Sequence, residues 1–327
     1  MSAATASRGW LSTLAERTGH ESPMALLRAQ SVYVAFAALV VIDLIFTPGF
    51  RNVFVIRNLL FAAAPVILVT LGQSLTIGTR GIDLSVGSAM GLAAAVMALA
   101  LPGGAWLAAA AGLGAGLAVG LINGGLVAAL AIDPLISSLA LLVAARGLAE
   151  ALLDGSRVNL PSGGLFDTLG VGAVSVIPDA AVIAAIIAVL VAVIVRTTVF
   201  GRSLLFIGAN KAAAIIAGIR VRRTLLLVYA ASGLLAGIAG VFAAARLGAS
   251  DPNYIGVNYE LDAIAAAVIG GTPLSGGRVS IAGGVAGVLL LEVLEASFIM
   301  NDINFSYAQI LKALFIVAAL YLQRAGG

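Results

Sequence analysis

RTTVFGRSLLFIGANKAAAIIAGIRVRR, residues 196–223, is the stretch of this sequence that decides its fold. It contains six Lys or Arg residues and no Asp or Glu, and a long apolar run lies on each side of it. Lys and Arg accumulate in the short cytoplasmic loops of membrane proteins. The stretch therefore predicts a cytoplasmic loop that joins two membrane spans.

A short helix is predicted inside this loop. Asn210 is a favourable N-cap residue, the Ala- and Ile-rich run 211–217 is helix-forming, and Gly218 suits the left-handed position that follows a helix. An apolar helix on a cytoplasmic loop has no bilayer in which to bury its apolar face. We therefore expect a protein partner to cover it.

The composition is that of a polytopic membrane protein and argues against several kinds of chemistry. The 327 residues are 61% hydrophobic and 10% charged, with a mean hydropathy of +1.12. The chain has no Cys and one His, His20, which argues against disulfides, thiolate chemistry and His-based zinc sites. We predict no catalytic residue, no metal site and no cofactor. Basic residues alternate with apolar runs instead of forming one polar surface, so no nucleic-acid partner is expected.

The apolar runs predict an all-α fold of about ten transmembrane segments. A helix that crosses the bilayer needs about 17–25 apolar residues. The run 261–271 is shorter than that, which is typical of a tilted, broken or re-entrant helix surrounded by protein. The nine longer runs are 27–47, 59–77, 86–101, 105–130, 136–153, 180–195, 224–245, 281–300 and 310–322.

Counting outward from the basic loop gives the orientation. It predicts a cytoplasmic tail at 1–26, a transmembrane domain at 27–327 that includes the cytoplasmic loop 196–223, and both termini in the cytoplasm. The loop 154–179 then lies outside, and it carries three Asp residues against one Arg, as the charge rule prefers. Three further residues fall outside against the rule: Arg51, Arg57 and Arg246.

Glycine spacing predicts close helix packing. Glycines recur every four residues from Gly112 to Gly124, which forms a flat ridge on one face of a helix. The pairs at 233 and 237 and at 283 and 287 repeat that spacing once each. We expect neighbouring helices to approach closely at these positions, and a dedicated homodimer seam is the less favoured interpretation.

A weak internal repeat suggests the architecture of a transporter. Ile82-Asp83-Leu84 follows the second apolar run and Leu261-Asp262-Ala263 follows the seventh. If the block of spans two to five recurs as spans seven to ten, the second copy is inverted in the membrane. This hypothesis favours a transporter over a receptor or an enzyme.

Polar residues inside apolar segments are the candidates for a translocation pathway, because such residues are costly in a membrane. Asp83 opens a helix, so it is interpreted either as an N-cap or as part of a polar gate. Asn123 is interpreted either as a solute-binding residue or as a hydrogen-bonding partner of a neighbouring helix. The full set of pathway candidates is Asp83, Ser85, Asn123, Asp262, Thr272 and Glu292.

The other ionisable residues of the apolar runs have simpler interpretations. Arg146 and Glu150 lie four residues apart on one helical face and are expected to pair with each other. Asp43 and Glu295 lie towards the ends of their runs, where we expect them to reach water. Glu292 is the deepest of these acidic residues.

The glycine-rich loop 270–278 does not provide a nucleotide site. A phosphate-binding P-loop ends in Gly-Lys followed by Ser or Thr, and no Lys of this chain has that context. The loop is interpreted as a tight turn between helices. Any energy from ATP must therefore come from another subunit.

Four ordered motifs stand out in the sequence: GIDLSVGS at 81–88, DPLI at 133–136 leading to ARG at 145–147, the run 201–221, and ELDAIAAAVIGGTPLSGGR at 260–278. Together they resemble the permease subunits of bacterial ABC importers for monosaccharides, the group of the ribose, xylose, galactose and autoinducer-2 systems. The resemblance covers residues 58–323. AAPV at 63–66, ARG at 145–147 and the aspartate-bearing stretch before ELDAI are most similar to the galactofuranose-importing branch.

The resemblance implies a permease half of ten helices in the bacterial inner membrane that pairs with itself or with a sister subunit. Two cytoplasmic ABC ATPases would lie below it and a periplasmic sugar-binding protein above it. The family's coupling helix would correspond to Asn210, Lys211, Ala213 and Gly218. An acidic residue usually follows the Asn, and Lys211 replaces it here, which leaves docking in place without that salt bridge.

Two functions from different classes are therefore compared. The first is an ATP-driven importer that moves a monosaccharide by alternating access and performs no covalent chemistry itself. The alternative is an ion- or proton-coupled secondary transporter, which would need buried carboxylates such as Asp43, Glu292 and Glu295. A passive channel would need neither energy source.

Overall fold

The computed structural model describes residues 31–304 and residues 307, 309, 310, 313, 314 and 317. The predicted tail 1–26 and most of the predicted run 310–322 lie outside the described residues. The helices are α1 Ser31–Phe46, α2 Val53–Gly78, α3 Val86–Leu99, α4 Ala105–Ala128, α5 Pro134–Leu152, α6 Gly164–Gly170, α7 Asp179–Thr197, α8 Val199–Ala209, α9 Lys211–Ile216, α10 Val221–Leu247, α11 Tyr259–Ile269 and α12 Ile281–Met300.

Six of these helices are long and apolar enough to cross a membrane, namely α2, α4, α5, α7, α10 and α12. The helices α1, α3 and α8 are apolar but shorter. The prediction of an all-α polytopic membrane protein is confirmed. The total of about ten spans and the location of the termini stay predictions.

Four short strands lie in the connections between the helices described above. Strand β1 Val158–Asn159 pairs with β4 Ala249–Ser250, and β2 Ala173–Val174 pairs with β3 Ile177–Pro178, both antiparallel. The first pair ties the segment before α6 to the segment after α10. Both pairs lie in connections that the charge rule assigns to the outside.

Helix α10 lies at the centre of the fold, where it packs against α2, α3 and α4. The glycine ridge of α4 makes the closest contact. A Cβ atom built on Gly120 would lie 2.3 Å from the Tyr229 carbonyl oxygen, and one on Gly116 would lie 2.5 Å from the Gly233 carbonyl oxygen. The predicted close packing is confirmed, because only glycine lets the two backbones approach this far.

A second glycine contact joins α12 to the short helix α11. A Cβ atom on Gly283 would lie 1.8 Å from the Gly270 carbonyl oxygen, and one on Gly287 would lie 2.3 Å from the Ala266 carbonyl oxygen. Helix α11 also packs against α2. Its 11 residues rise about 16 Å, roughly half of the hydrocarbon thickness. This agrees with a short segment surrounded by protein.

The region before the short helix α9 differs from the prediction. Residues 199–209 were expected to be loop, and they form α8. Thr198 caps this helix by accepting a hydrogen bond from the Gly201 N–H at 3.2 Å. Leu204 and Ile207 are buried and anchor α8 against α2, α7 and α10. The helix depends on these tertiary contacts, which the sequence pattern does not reveal.

The three arginines that oppose the charge rule bind backbone carbonyls. Arg51 donates to the Leu44 carbonyl through two nitrogens at 3.0 and 2.9 Å, and Arg246 donates to the Asn58 carbonyl at 3.1 Å. Arg57 donates to the Val171 carbonyl. Their guanidinium groups therefore join helix ends and connections to one another, which gives them a structural role.

Candidate functional site: an exposed short helix and a buried polar network

Helix α9 is capped at both ends by the residues that the sequence analysis identified. The Asn210 side chain accepts a hydrogen bond from the Ala213 N–H at 3.0 Å. After the helix, Gly218 has φ +76°, and the N–H groups of Gly218 and Ile219 donate to the carbonyls of Ile215 and Ala214, both at 3.0 Å. This is a Schellman motif, so the helix has a well-defined start and end despite its six residues.

One face of α9 is buried and the other is exposed. Ala214 is fully buried and packs with Ile219, Val221 and Leu225. Ile216 is 88% exposed and Ile215 is 61% exposed. Two large apolar side chains therefore project away from the described protein.

The predicted contact residues of α9 have different positions. Asn210, Lys211 and Gly218 are exposed, and Ala213 is half-buried. Ile215 and Ile216 were not named individually in the sequence analysis. The apolar run was visible there, but the sequence did not show which of its residues face inward.

A buried polar network surrounds Asp83, between α2 and α3. The Asp83 side chain is 1% exposed. Its Oδ1 accepts hydrogen bonds from the Ser85 N–H at 3.0 Å, the Ser85 hydroxyl at 2.6 Å and the Asn123 amide at 3.0 Å. Its Oδ2 accepts one from the Ser232 hydroxyl at 3.1 Å. These bonds compensate for the loss of water around the carboxylate.

The network extends to two more helices. Asn123 Oδ1 accepts a hydrogen bond from the Ser137 hydroxyl of α5 at 2.6 Å. Gln73 lies in α2. In the orientation that suits both of its ends, its amide donates to the Asp83 carbonyl at 3.0 Å and accepts from the Asp83 N–H at 3.3 Å. One polar cluster thus joins α2, α4, α5, α10 and the segment before α3.

Asp83 is not the N-cap of α3. That helix begins at Val86, and its N-cap position is Ser85, whose side chain makes no capping bond. Asp83 instead accepts from the Ser85 N–H two residues on, as in an Asx turn. The expectation of a bond to the following turn was right, and the assignment of Asp83 to the N-cap position was wrong.

The six pathway candidates lie in three places. Asp83, Ser85 and Asn123 meet in the buried network, where each is at most 1% exposed, so they do not line an open channel in this conformation. Thr272 is buried in the connection before α12, where its Oγ1 accepts from the Ser280 N–H at 3.0 Å. The third place holds the half-buried Asp262 of α11 and Glu292 of α12, which both interact electrostatically with Tyr259.

Asp43 does not reach water, contrary to expectation. It is 1% exposed, and its Oδ1 accepts from the hydroxyls of Thr47 and Ser297, both at 2.7 Å. The second bond joins α1 to α12. Asp43 therefore serves as a helix contact in this structure.

Arg146 has more partners than the Glu150 predicted for it. Its guanidinium donates to the carbonyls of Pro252 and Ile255, both at 2.8 Å. Glu260 and Glu150 both attract it, Glu260 more strongly. Arg146 thus connects α5 to the non-helical segment between α10 and α11.

The family of this chain follows from comparison with known proteins. The family described as "Branched-chain amino acid transport system / permease component" matches residues 55–320. The chain belongs to this family of transport permeases. The galactofuranose transporter permease protein YtfT of Escherichia coli K12 is 35% identical over 300 residues, which cover 89% of this chain and 88% of that protein.

Other relatives have similar coverage. The ribose import permease protein RbsC of the same organism is 34% identical, over 90% of this chain and 94% of that protein. The fructose import permease protein FruF of Bifidobacterium longum is 36% identical, over 88% of this chain and 85% of that protein. No solved structure matches the chain. The predicted resemblance to monosaccharide ABC importer permeases is confirmed.

Proposed function

We propose that this chain is the membrane-spanning half of an ATP-driven importer in the bacterial inner membrane, which receives a monosaccharide from a periplasmic binding protein. One observation carries the proposal. The chain has no nucleotide-binding loop of its own, yet it presents a capped helix with two exposed isoleucines on a basic loop. Its relatives that carry galactofuranose, ribose and fructose indicate the substrate class.

The proposed topology has ten spans, with both termini in the cytoplasm and an inverted repeat of spans two to five. Residues 1–26 form the cytoplasmic tail, and 27–327 form the transmembrane domain with the coupling loop 196–223. The six clear spans and the short helices α1, α3 and α11 support nine of the ten. A second permease subunit, identical or related, would complete the pore.

Helix α9 is proposed as the contact with the ATPase. Asn210 and Gly218 define its ends, while Lys211 and Ala213 lie in its first turn. The isoleucines at 215 and 216 would supply the apolar contact area, since exposed apolar side chains at a partner surface gain most from burial. ATP hydrolysis is assigned to that partner subunit, and the permease itself is not an enzyme.

The pathway is proposed to involve Asp83, Ser85, Asn123, Asp262, Thr272 and Glu292. The first three are enclosed in this conformation, so they would act when helices separate during alternating access. Within the described residues, the buried charged side chains are Asp43 and Asp83, which agrees with a weakly polar route for a neutral sugar. Selectivity would then reside in the binding protein.

Reconstitution in proteoliposomes tests the proposal. Purified permease is inserted with and without candidate ATPase and binding-protein subunits, and uptake of labelled sugar is measured with ATP or with a proton gradient. We expect uptake only with all subunits and ATP. Uptake by the permease alone that follows the proton gradient would favour the secondary transporter, and uptake without either energy source would favour a channel.

The variant Ile216→Asp tests the contact itself. Ile216 is 88% exposed, so a carboxylate at this position leaves the fold unchanged. Burying that carboxylate in an apolar interface costs free energy, because it loses its water. We expect the affinity for the ATPase to fall by about 2 kcal/mol, roughly thirtyfold, in a pull-down titration. Val199→Asp is the matched control, because Val199 is an exposed apolar residue of the same loop, 69% exposed. Equal binding by wild type and Ile216→Asp would contradict the assignment.

A further inference from the structure

Three backbones meet at the cytoplasmic side of the fold, each at a glycine. Gly78 ends α2, Gly208 lies near the end of α8, and Gly277 lies in the connection between α11 and α12. The Gly277 N–H donates to the Gly78 carbonyl at 3.0 Å. A Cβ atom on Gly208 would lie 1.8 Å from the Gly78 carbonyl oxygen and 2.5 Å from the Gly277 nitrogen. We call these three residues the glycine junction, which leaves no room for a side chain.

Arg80 holds the junction together. Its Nε donates to the Ser275 carbonyl at 2.7 Å, and a terminal nitrogen donates to the Ala209 carbonyl at 2.8 Å. One planar guanidinium therefore joins the connection after α11 to the end of α8. Arg80 itself has φ +66°, a conformation that residues other than glycine rarely adopt. The two hydrogen bonds help to offset that unfavourable backbone conformation.

The junction lies between the elements proposed to work in transport. Ala209 directly precedes Asn210, the N-cap of α9. Asp83, the centre of the buried network, follows Arg80 by three residues. The segment 271–280, which contains Ser275 and Gly277, joins α11 to α12. A displacement of α9 therefore reaches the segment that contains Arg80 and Asp83, and the segment 271–280, through backbone atoms in direct contact.

We propose that the glycine junction, clamped by Arg80, transmits movement of α9 to the Asp83 segment and to the connection between α11 and α12. The inference rests on the proposed function, because it assumes that an ATPase moves α9. Its physical basis is the absence of compressible side chains at the junction. Hydrogen-bonded backbones in contact transmit a displacement with little loss, because packed contacts do not deform continuously.

Arg80→Gly is the variant that separates this role from folding. Glycine adopts a positive φ without strain, so the substitution removes the guanidinium and relaxes the backbone. Arg80→Lys keeps the charge, but a single ammonium group lacks the planar fork that reaches two carbonyls. Arg51→Ala is the control, since Arg51 also donates through two nitrogens, but to one carbonyl on the outer side.

The measurement is sugar uptake per ATP hydrolysed by the complete transporter in proteoliposomes. We expect this ratio to fall about tenfold in Arg80→Gly, within the usual range of coupling between sites, and less in Arg80→Lys. ATP hydrolysis and the amount of assembled complex should stay near wild type, as should all readings of Arg51→Ala. An unchanged ratio in Arg80→Gly, or a loss of uptake that merely follows the loss of complex, would overturn the proposal.

Spin labels give an independent reading that a purely structural role would leave unchanged. The chain has no Cys, so Ala212→Cys and Leu274→Cys can be labelled specifically, and both positions are exposed. We expect the distribution of distances between the two labels to stay the same when ATP binds to the complex. Once Arg80→Gly is added, we expect that distribution to broaden on ATP binding. A distance that changes equally in both backgrounds would refute the clamp. Uptake by wild type without ATPase subunits would refute the proposed function instead.

Discussion

Asp83 illustrates what a single residue does in this fold. It is a buried carboxylate whose four hydrogen bonds come from uncharged donors. A buried charge is costly without such partners, so the donors around Asp83 depend on it as much as it depends on them. Removing the Ser232 hydroxyl would leave Asp83 Oδ2 without its one donor, and removing Asn123 would leave the Ser137 hydroxyl without its acceptor.

Asn123 is the residue at which we expect this dependence to be strongest. Its amide group donates to Asp83 and accepts from Ser137, so Asn123→Ala removes both bonds. We expect a loss of about 1–3 kcal/mol in the free energy of unfolding, because the buried Ser137 hydroxyl loses its acceptor and Asp83 Oδ1 loses one of its three donors. The measurement is the thermal unfolding midpoint of the purified protein in detergent.

Asn159→Ala provides the comparison for that measurement. Asn159 lies in β1 and is exposed, so its truncation should change stability by less than about 0.5 kcal/mol. If Asn123→Ala and Asn159→Ala unfold at the same temperature as wild type, the network contributes no stability. The cost of burying Asp83 would then need another explanation.

Only some residues of the polar network around Asp83 could be predicted from the sequence. Asp83, Ser85 and Asn123 were identified because polar groups in apolar segments are costly and therefore informative. Ser137 and Ser232 were missed, since serine is common in membrane helices and its partner lies far away in sequence. Ser232 and Asp83 are separated by 149 residues, and no local pattern connects them.

The contact between α4 and α10 depends on glycines, which have no side chain to keep the two backbones apart. Gly120→Ala would place a Cβ atom 2.3 Å from the Tyr229 carbonyl oxygen and 2.9 Å from the Gly233 Cα. Neither backbone atom can rotate away, so the helices must separate. We expect a loss of about 1–3 kcal/mol, typical of overpacking, measured as a lower unfolding midpoint in detergent.

Gly114→Ala is the matched control in the same helix. A Cβ atom at Gly114 would meet nothing within 4 Å, and alanine favours the helix by about 1 kcal/mol relative to glycine. This variant should therefore be as stable as wild type or more so. Equal destabilisation of both variants would mean that the contact between α4 and α10 is not tight.

The sequence predicted individual helices better than it predicted which helices pack against one another. The caps of α9 were predicted because Asn at the start and Gly at the end act within a few residues. The spacing of glycines in α4 predicted a close contact but could not name α10 as the partner. Helix α8 was missed because Leu204 and Ile207 are held by other helices.

At the scale of the whole molecule, the central position of α10 could not be predicted. Helix α7 is more hydrophobic than α10, yet a much larger part of α10 is buried in the protein. The reason is that lipid chains are as apolar as a protein interior, so hydropathy identifies spans but not their neighbours. The fold class was therefore predictable, and the arrangement of the helices was not.

The orientation of the molecule is testable because the chain contains no Cys. Val174→Cys and Ile216→Cys each create one exposed thiol, at 73% and 88% exposed positions. The charge rule assigns residue 174 to the outside and residue 216 to the cytoplasm. We expect an impermeant maleimide to label Val174→Cys in right-side-out vesicles, and to label Ile216→Cys only after permeabilisation. The reverse pattern would invert the topology.

The contact between α4 and α10 also limits how the molecule moves. Its glycines recur every four residues, so the helices fit together only in registers about 6 Å apart along the axis. Any smaller slide would press a Cβ atom against a backbone. The contact therefore opposes shifts of an ångström or two, and we expect α4 and α10 to tilt together while other helices move around them.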